Sequence, residues 1–278
     1  MDLLEQTKKL CRLYGVKPSR SKGQNFLVDE NVYDKVVSAA DLHKDDVVLE
    51  VGPGFGFLTA KLAQQVKKVI AVELDDKLVK ALGTGLKMQG VGNVEVRNED
   101  ILEVRSEKLE VRNYKVVANL PYNITSHFLR KFLENDNLRP VEMVLMLQKE
   151  VAQRICAQPG EMSLLAVSVQ FYAEPKIVDY VPKSAFWPEP AVDSAILKLE
   201  VRSKKYGVEE RDFFRLAKIG FSARRKMLKN NLAAGYKIVP SEAEKMIIMA
   251  GLREKARAQD LSVKDWLKLF GCFKSIMV

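Results

Sequence analysis

Residues 116–128, VVANLPYNITSHF, carry groups suited to one kind of chemistry. An apolar run ends in Asn119, Leu120, Pro121 and Tyr122, and a helix-like pattern follows. Asn119 offers an amide oxygen as acceptor. The Pro121 carbonyl offers a second, on a residue with no competing N–H. Tyr122 offers a flat face on which a planar base can stack. Two acceptors hold both N–H groups of an exocyclic amine and draw its lone pair out of conjugation with the ring. The nitrogen can then attack an electrophile, and its proton becomes acidic only once the new bond has formed. No strong base is needed at the start. Taken alone, Asn and Pro are also ordinary strand-end turn residues, so the surroundings decide.

Upstream, EVGPGFG places Gly52, Gly54 and Gly56 directly after another apolar run. Glycines there let the backbone turn sharply and approach a ligand. Glu73 ends the next apolar run, 21 residues after Gly52, where a carboxylate is well set to accept from ribose hydroxyls. Asp100, in RNEDIL, follows the third run and can accept from an adenine amino group. Each piece alone is weak. Together they point to a nucleoside cofactor. The spacing is G-x-G-x-G and not the dinucleotide G-x-G-x-x-G, and there is no G-K-[ST] phosphate loop.

The elements that must position these groups alternate. Strands are expected in DDVVLEV, KKVIAVELD, NVEVRNED, YKVVANL and VEMVLMLQ, and helices in 29–40 with Asp29 as N-cap, FLTAKLAQQ, about 75–87, and ITSHFLRKFLEN. Continuously apolar strands separated by helices predict an α/β fold whose parallel sheet is buried on both faces. LLAVSVQFYAEPKIVDYV and DSAILKLEV are expected to finish the sheet as further strands, with antiparallel members. Beyond Arg202 to Gly207 the pattern turns helical, at about 209–223, 225–234, 241–250 and 261–271. The expected organisation is a catalytic domain over 1–203, with a basic N-terminal segment 1–28, and a small α-helical domain over 204–278.

Charge is regional. Residues 202–278 hold 18 Lys/Arg against 8 Asp/Glu, and Lys8 to Gly23 holds six bases and no acid, whereas the middle is slightly acidic. That pattern suggests a polyanionic partner. Three dispersed cysteines and two histidines supply neither a disulfide framework nor a metal site nor His-based nucleophile chemistry. No apolar run approaches the roughly 18 residues of a membrane span, and the N-terminus resembles no targeting peptide. A monomer in the cytoplasm is the expectation.

NLPY resembles the target-amine motif of adenine-N6 methyltransferases that use S-adenosylmethionine. Together with KGQNFLVDENV, VLEVGPGFGFLT, VIAVELD, MLQKEVAQRI, YVPKSAFWPEPAVDSAILKL and FSARRKMLKNNL, the chain resembles the small-subunit rRNA adenine-N6 dimethyltransferase family (KsgA-like). The resemblance implies a Rossmann-like class I methyltransferase sheet and dimethylation of two adjacent adenosines in the 3′-terminal hairpin loop of small-subunit rRNA. It implies that Gln24, Asn25, Leu27, Gly52, Gly54, Glu73, Asp100, Ile101 and Asn119 hold S-adenosylmethionine. Asn119, Pro121 and Tyr122 carry the chemistry, Tyr122 and Phe186 clamp the target adenine, and Arg224, Arg225, Lys226 and Lys229 meet RNA. The partner would be the immature small ribosomal subunit. Three departures are Lys22, where a large apolar residue is usual, His127 after NITS, where proline is frequent, and the short loop AQPGEMSLLAVS. The alternatives are an erythromycin-resistance-type methylase of large-subunit rRNA, and an RNA-binding assembly or transcription factor without turnover.

Overall fold

The computed structural model describes residues 2–19, 23–105, 109, 111–202 and 206–276. Arg20, Lys22 and the expected boundary between 203 and 204 lie outside the described residues. Among those described, no helix is long and apolar enough to cross a membrane.

The first of two compact units comprises Met1–Ala152 and Glu174–Val201. Its strands β2 (Val47–Val51), β3 (Lys68–Glu73), β4 (Val94–Asn98), β5 (Lys115–Asn119), β6 (Glu142–Gln148), β7 (Ala173–Val181) and β9 (Ser194–Val201) form one sheet in the order β4-β3-β2-β5-β6-β9-β7. β2 pairs in parallel with β3 and β5, β3 with β4, and β5 with β6. β9 runs antiparallel to β6, with Gln148 opposite Ser194. The β-branched runs of β2 and β3 are almost wholly buried, as a sheet covered on both faces requires. A further pair, β1 (Phe26–Leu27) and β8 (Phe186–Trp187), is antiparallel.

The covering helices are cut to length by their caps. In α1 (Leu3–Tyr14) the Asp2 side chain accepts from the Glu5 N–H, and Gly15 closes the helix in the left-handed region. Asp29 caps α2 (Glu30–Ala39) and Asp75 caps α4 (Asp76–Met88) in the same way. Helices α3 (Phe57–Ala63) and α5 (Thr125–Glu134) begin where the glycine turn and the NLPY segment end. Apolar faces of α2 and α3 meet the sheet in one core that includes Val36, Leu62, Val69, Val117 and Ile196.

The second unit comprises Gln153–Ala173 and Arg202–Val278. Residues 153–173 therefore group with the helical part, upstream of the expected division at 203. The segment LLAVSVQFY, expected as strand, is a helix (α7, Leu164–Tyr172), entered from α6 (Lys149–Ile155) through a loop. A short run of apolar residues has no period that separates buried helix from buried strand. The Ser163 hydroxyl, which accepts from the Ala166 N–H, tips it to helix. The loop itself is tied down, because the Gly160 and Met162 N–H groups both donate to the Gln259 carbonyl, at 2.8 and 3.1 Å. Four more helices follow: α8 (Glu210–Gly220), α9 (Leu228–Tyr236), α10 (Pro240–Met249) and α11 (Val263–Phe273). They pack on fully buried Phe213, Trp266 and Phe273, with the Phe171 ring centred 4.6 Å from that of Phe213 and tilted by 34° to it.

Candidate active site

In the sheet order, the direction of progression reverses between β2 and β5, and open α/β sheets bind ligands at the carboxyl ends of their strands at such a point. A cavity of about 330 Å³ lies there. Its wall contains Gln24, Asn25, Leu27, Gly52, Gly54, Glu73, Asp100, Ile101, Asn119, Pro121 and Tyr122, so four strand ends and the segment before α2 converge on one space.

The glycine turn and Glu73 are one device. Gly54 donates its N–H to Glu73 Oε2 at 3.2 Å, and Asp75 donates to Oε1 at 3.0 Å. Burial pushes the Glu73 carboxyl above its usual range, and the donated N–H groups of Asp75, Gly54 and Leu74 oppose that. Gly52 has φ +66° and Gly54 φ +60°, where a side chain strains the backbone. A Cβ on Gly54 would also lie 3.4 Å from the Phe26 ring. Asp100 accepts the Leu102 N–H at 2.8 Å, which aligns the turn holding Ile101. Gln24 accepts from the Ser19 N–H at 3.1 Å and donates to Asp75 at 3.5 Å, tying the N-terminal segment to the start of α4.

Asn119 donates its Nδ2 to the Asn25 carbonyl at 3.5 Å, leaving Oδ1 as its acceptor. The Pro121 carbonyl differs from expectation. It already accepts the Ile124 N–H at 3.2 Å, closing the turn into α5, so only one of its lone pairs remains. The Tyr122 hydroxyl lies 2.6 Å from Ser194 Oγ, and burial raises its pKa while that bond lowers it.

Two expected residues are placed elsewhere. Phe186 is 3% exposed and belongs to the hydrophobic core beside Leu27 and Tyr33, and it is not part of the cavity wall. Leu27 and Phe186 are directly opposed in the antiparallel β1–β8 pair, so Phe186 packs against Leu27 within the core. Lys229 is not open to phosphate either. It bridges Glu244 at 3.0 Å and Glu254 at 3.1 Å. Arg224, Arg225 and Lys226 are exposed on a turn between α8 and α9, because the helix expected from about 225 begins only at Leu228.

Glu50 went unrecognised in the sequence. It is 1% exposed, lines the cavity, and its Oε2 has no hydrogen-bond partner among the described residues. Burial, with Glu73 nearby adding to it, pushes its carboxyl up to about 8. The signal was an acid inside an otherwise apolar strand, one of the few residue types that is almost never fully buried without a partner. Ser194, which lies in the segment YVPKSAFWPEPAVDSAILKL, is a second site residue that the sequence pattern does not single out.

The sequence model of the family described as Ribosomal RNA adenine dimethylase matches residues 16–275. Ribosomal RNA small subunit methyltransferase A of Dehalococcoides mccartyi is 45% identical over 271 residues, covering 96% of this chain and 92% of that protein. Among solved structures, a dimethyladenosine transferase from Plasmodium falciparum superposes with a TM-score of 0.76 at 27% identity, over 89% of this chain and 97% of that one. The 23S rRNA methyltransferase ErmE superposes with a TM-score of 0.73 at 28% identity, over 89% of this chain and 99% of that one. The chain belongs to the ribosomal RNA adenine dimethylase family.

Proposed function

We propose that the protein transfers methyl groups from S-adenosylmethionine to the N6 amines of two adjacent adenosines in the 3′-terminal hairpin loop of small-subunit rRNA. The observation that carries this is the convergence of Asn119 and Tyr122 on the same cavity as Glu73 and Asp100. The 45% identity to a small-subunit methyltransferase, against 28% to ErmE, favours small-subunit over large-subunit RNA. On this reading the enzyme acts as a monomer, in the cytoplasm, on the immature small subunit.

The cavity residues fit the cofactor. Glu50, buried with one unpartnered oxygen, is suited to an ammonium group, and a cationic neighbour would offset the cost of its burial. Glu73 has lone pairs left for ribose hydroxyls. Asp100 and the Ile101 backbone suit an adenine edge. When bound, S-adenosylmethionine supplies an electrophilic methyl group on a sulfonium. The residues do the rest by position. Tyr122 stacks on the extruded adenine, with its hydroxyl held by Ser194. Asn119 Oδ1 and a main-chain carbonyl of the Leu120–Pro121 segment accept the two N6 protons. The N6 lone pair freed in this way would be able to take the methyl group of a cofactor that Glu50, Glu73 and Asp100 would hold, and the N6 proton would then pass to solvent. The same geometry serves the second transfer, because a once-methylated amine keeps one N–H. Orientation and exclusion of water are the main sources of rate. Arg224, Arg225 and Lys226 hold RNA phosphates, which position the substrate without reading its sequence.

The test is incubation with labelled S-adenosylmethionine and unmethylated small or large ribosomal subunits. Label should enter the small subunit at two neighbouring adenosines. Label confined to the large subunit would replace the substrate, and no label in either would favour a binding factor without turnover.

A further inference from the structure

Tyr180, near the carboxyl end of β7, is 47% exposed, although tyrosine is usually covered at least by its own strand neighbours. The Lys149 ammonium stands 5.1 Å from the centre of its ring. Lys149 is the first residue after β6, and β6 runs parallel to β5, so Lys149 emerges at the same sheet edge as Asn119. A short rigid route joins this pair to the target tyrosine. The Lys149 N–H donates to the Asp193 carbonyl at 3.0 Å, and the next residue, Ser194, holds the Tyr122 hydroxyl at 2.6 Å. Asp193 is itself fixed, since its Oδ1 accepts the Lys183 N–H at 3.1 Å.

We propose that Tyr180, with Lys149 beside its ring, is a stacking platform for the unpaired nucleotide next to the extruded adenosine. The proposal rests on the RNA methylation reading above and extends it to how the flanking chain is held. Extruding one base from a loop strips its neighbour of a stacking partner, and an aromatic face nearby restores part of that loss. Every base has a π-face, so the platform tolerates any sequence. Lys149 adds a charge for the adjoining phosphate. Its nearest carboxylate oxygen, on Asp193, is 3.9 Å away, too far for a good hydrogen bond, and the side chain is 39% exposed. An aromatic plus an accessible cation, linked through Asp193 and Ser194 to Tyr122 of the cavity wall, is the chemistry that recognises single-stranded RNA.

The experiment uses the full-length protein, S-adenosylhomocysteine and hairpin RNAs with 2-aminopurine on either side of the target adenosines, alongside steady-state methylation of the unlabelled hairpin. Wild type should quench 2-aminopurine at one flanking position. Tyr180→Ala should abolish the quenching and raise KM for the hairpin about tenfold, with kcat and cofactor affinity unchanged. Tyr180→Phe should behave as wild type, because stacking needs the ring and not the hydroxyl. Lys149→Met should lower the salt dependence of hairpin binding by about one contact. Equal quenching and equal KM in wild type and Tyr180→Ala would overturn the proposal, as would a Tyr180→Phe defect matching that of Tyr180→Ala. A wild type that binds and quenches without methylating would instead overturn the catalytic reading and leave the platform standing.

Discussion

The hydroxyl of Tyr122 and the hydroxyl of Ser194 meet at 2.6 Å, across 72 residues of sequence. Ser194 is fully buried at the start of β9, where antiparallel pairing sets it opposite Gln148. Tyr122 is thus anchored to the sheet through a fully buried side chain. Ser194→Ala removes one hydrogen bond, worth about 1 kcal/mol, and should slow single-turnover methyl transfer about fivefold with cofactor affinity unchanged. Tyr122→Phe should match it, and Tyr122→Ala should cost far more, because the ring face is lost as well.

On the proposed reading, Asn119→Ala removes the acceptor that grips the target amine. Transfer should fall by about 10²–10³, the usual effect of deleting one preorganised hydrogen-bonding group in an active site. The melting temperature should stay near wild type, and cofactor affinity, measured by calorimetry, should fall far less than the rate of transfer. Full activity in this variant would refute the assignment of the amine grip.

Glu50 should impose a pH signature on the cofactor-free protein. Its folded pKa is raised from 4.5 to about 8, so the folded state retains a proton that the unfolded chain has released. Stability is then greatest below about pH 4.5 on account of this group, and declines as pH rises toward 8. Glu50→Gln abolishes the titration and should flatten the decline, by at most about 4 kcal/mol at pH 8, in chemical denaturation at pH 5, 6.5 and 8. The same variant should bind S-adenosylmethionine about 10- to 100-fold more weakly, having lost a charge-assisted bond.

The basic residues near 224–229 should divide into two classes. Replacing Arg224, Arg225 and Lys226 together by Gln should weaken RNA binding and reduce the slope of log K against log salt by about two to three. Lys229→Ala should leave that slope unchanged and lower the melting temperature, because Glu244 and Glu254 lose their shared cation. A changed slope in Lys229→Ala would show that the ion pairs open for RNA.

Much of this was written locally. The glycine turn, the acids at strand ends and NLPY are short-range patterns, and alternation of apolar runs with capped helices sufficed for the parallel sheet and its carboxyl edge. Local chemistry determines such features because backbone turns, caps and strand propensity act over a few residues. What the chain could not declare by itself depended on partners distant in sequence. Phe186 became core because the β1–β8 pairing sets it against Leu27, and Lys229 became structural because two acids on other segments reach it. LLAVSVQFY became helix within a unit assembled from two separate stretches, and Glu50 became a buried acid, with one oxygen unpartnered among the described residues, only when the sheet closed around it. Burial, register and charge pairing are sums over neighbours that only the tertiary structure brings together.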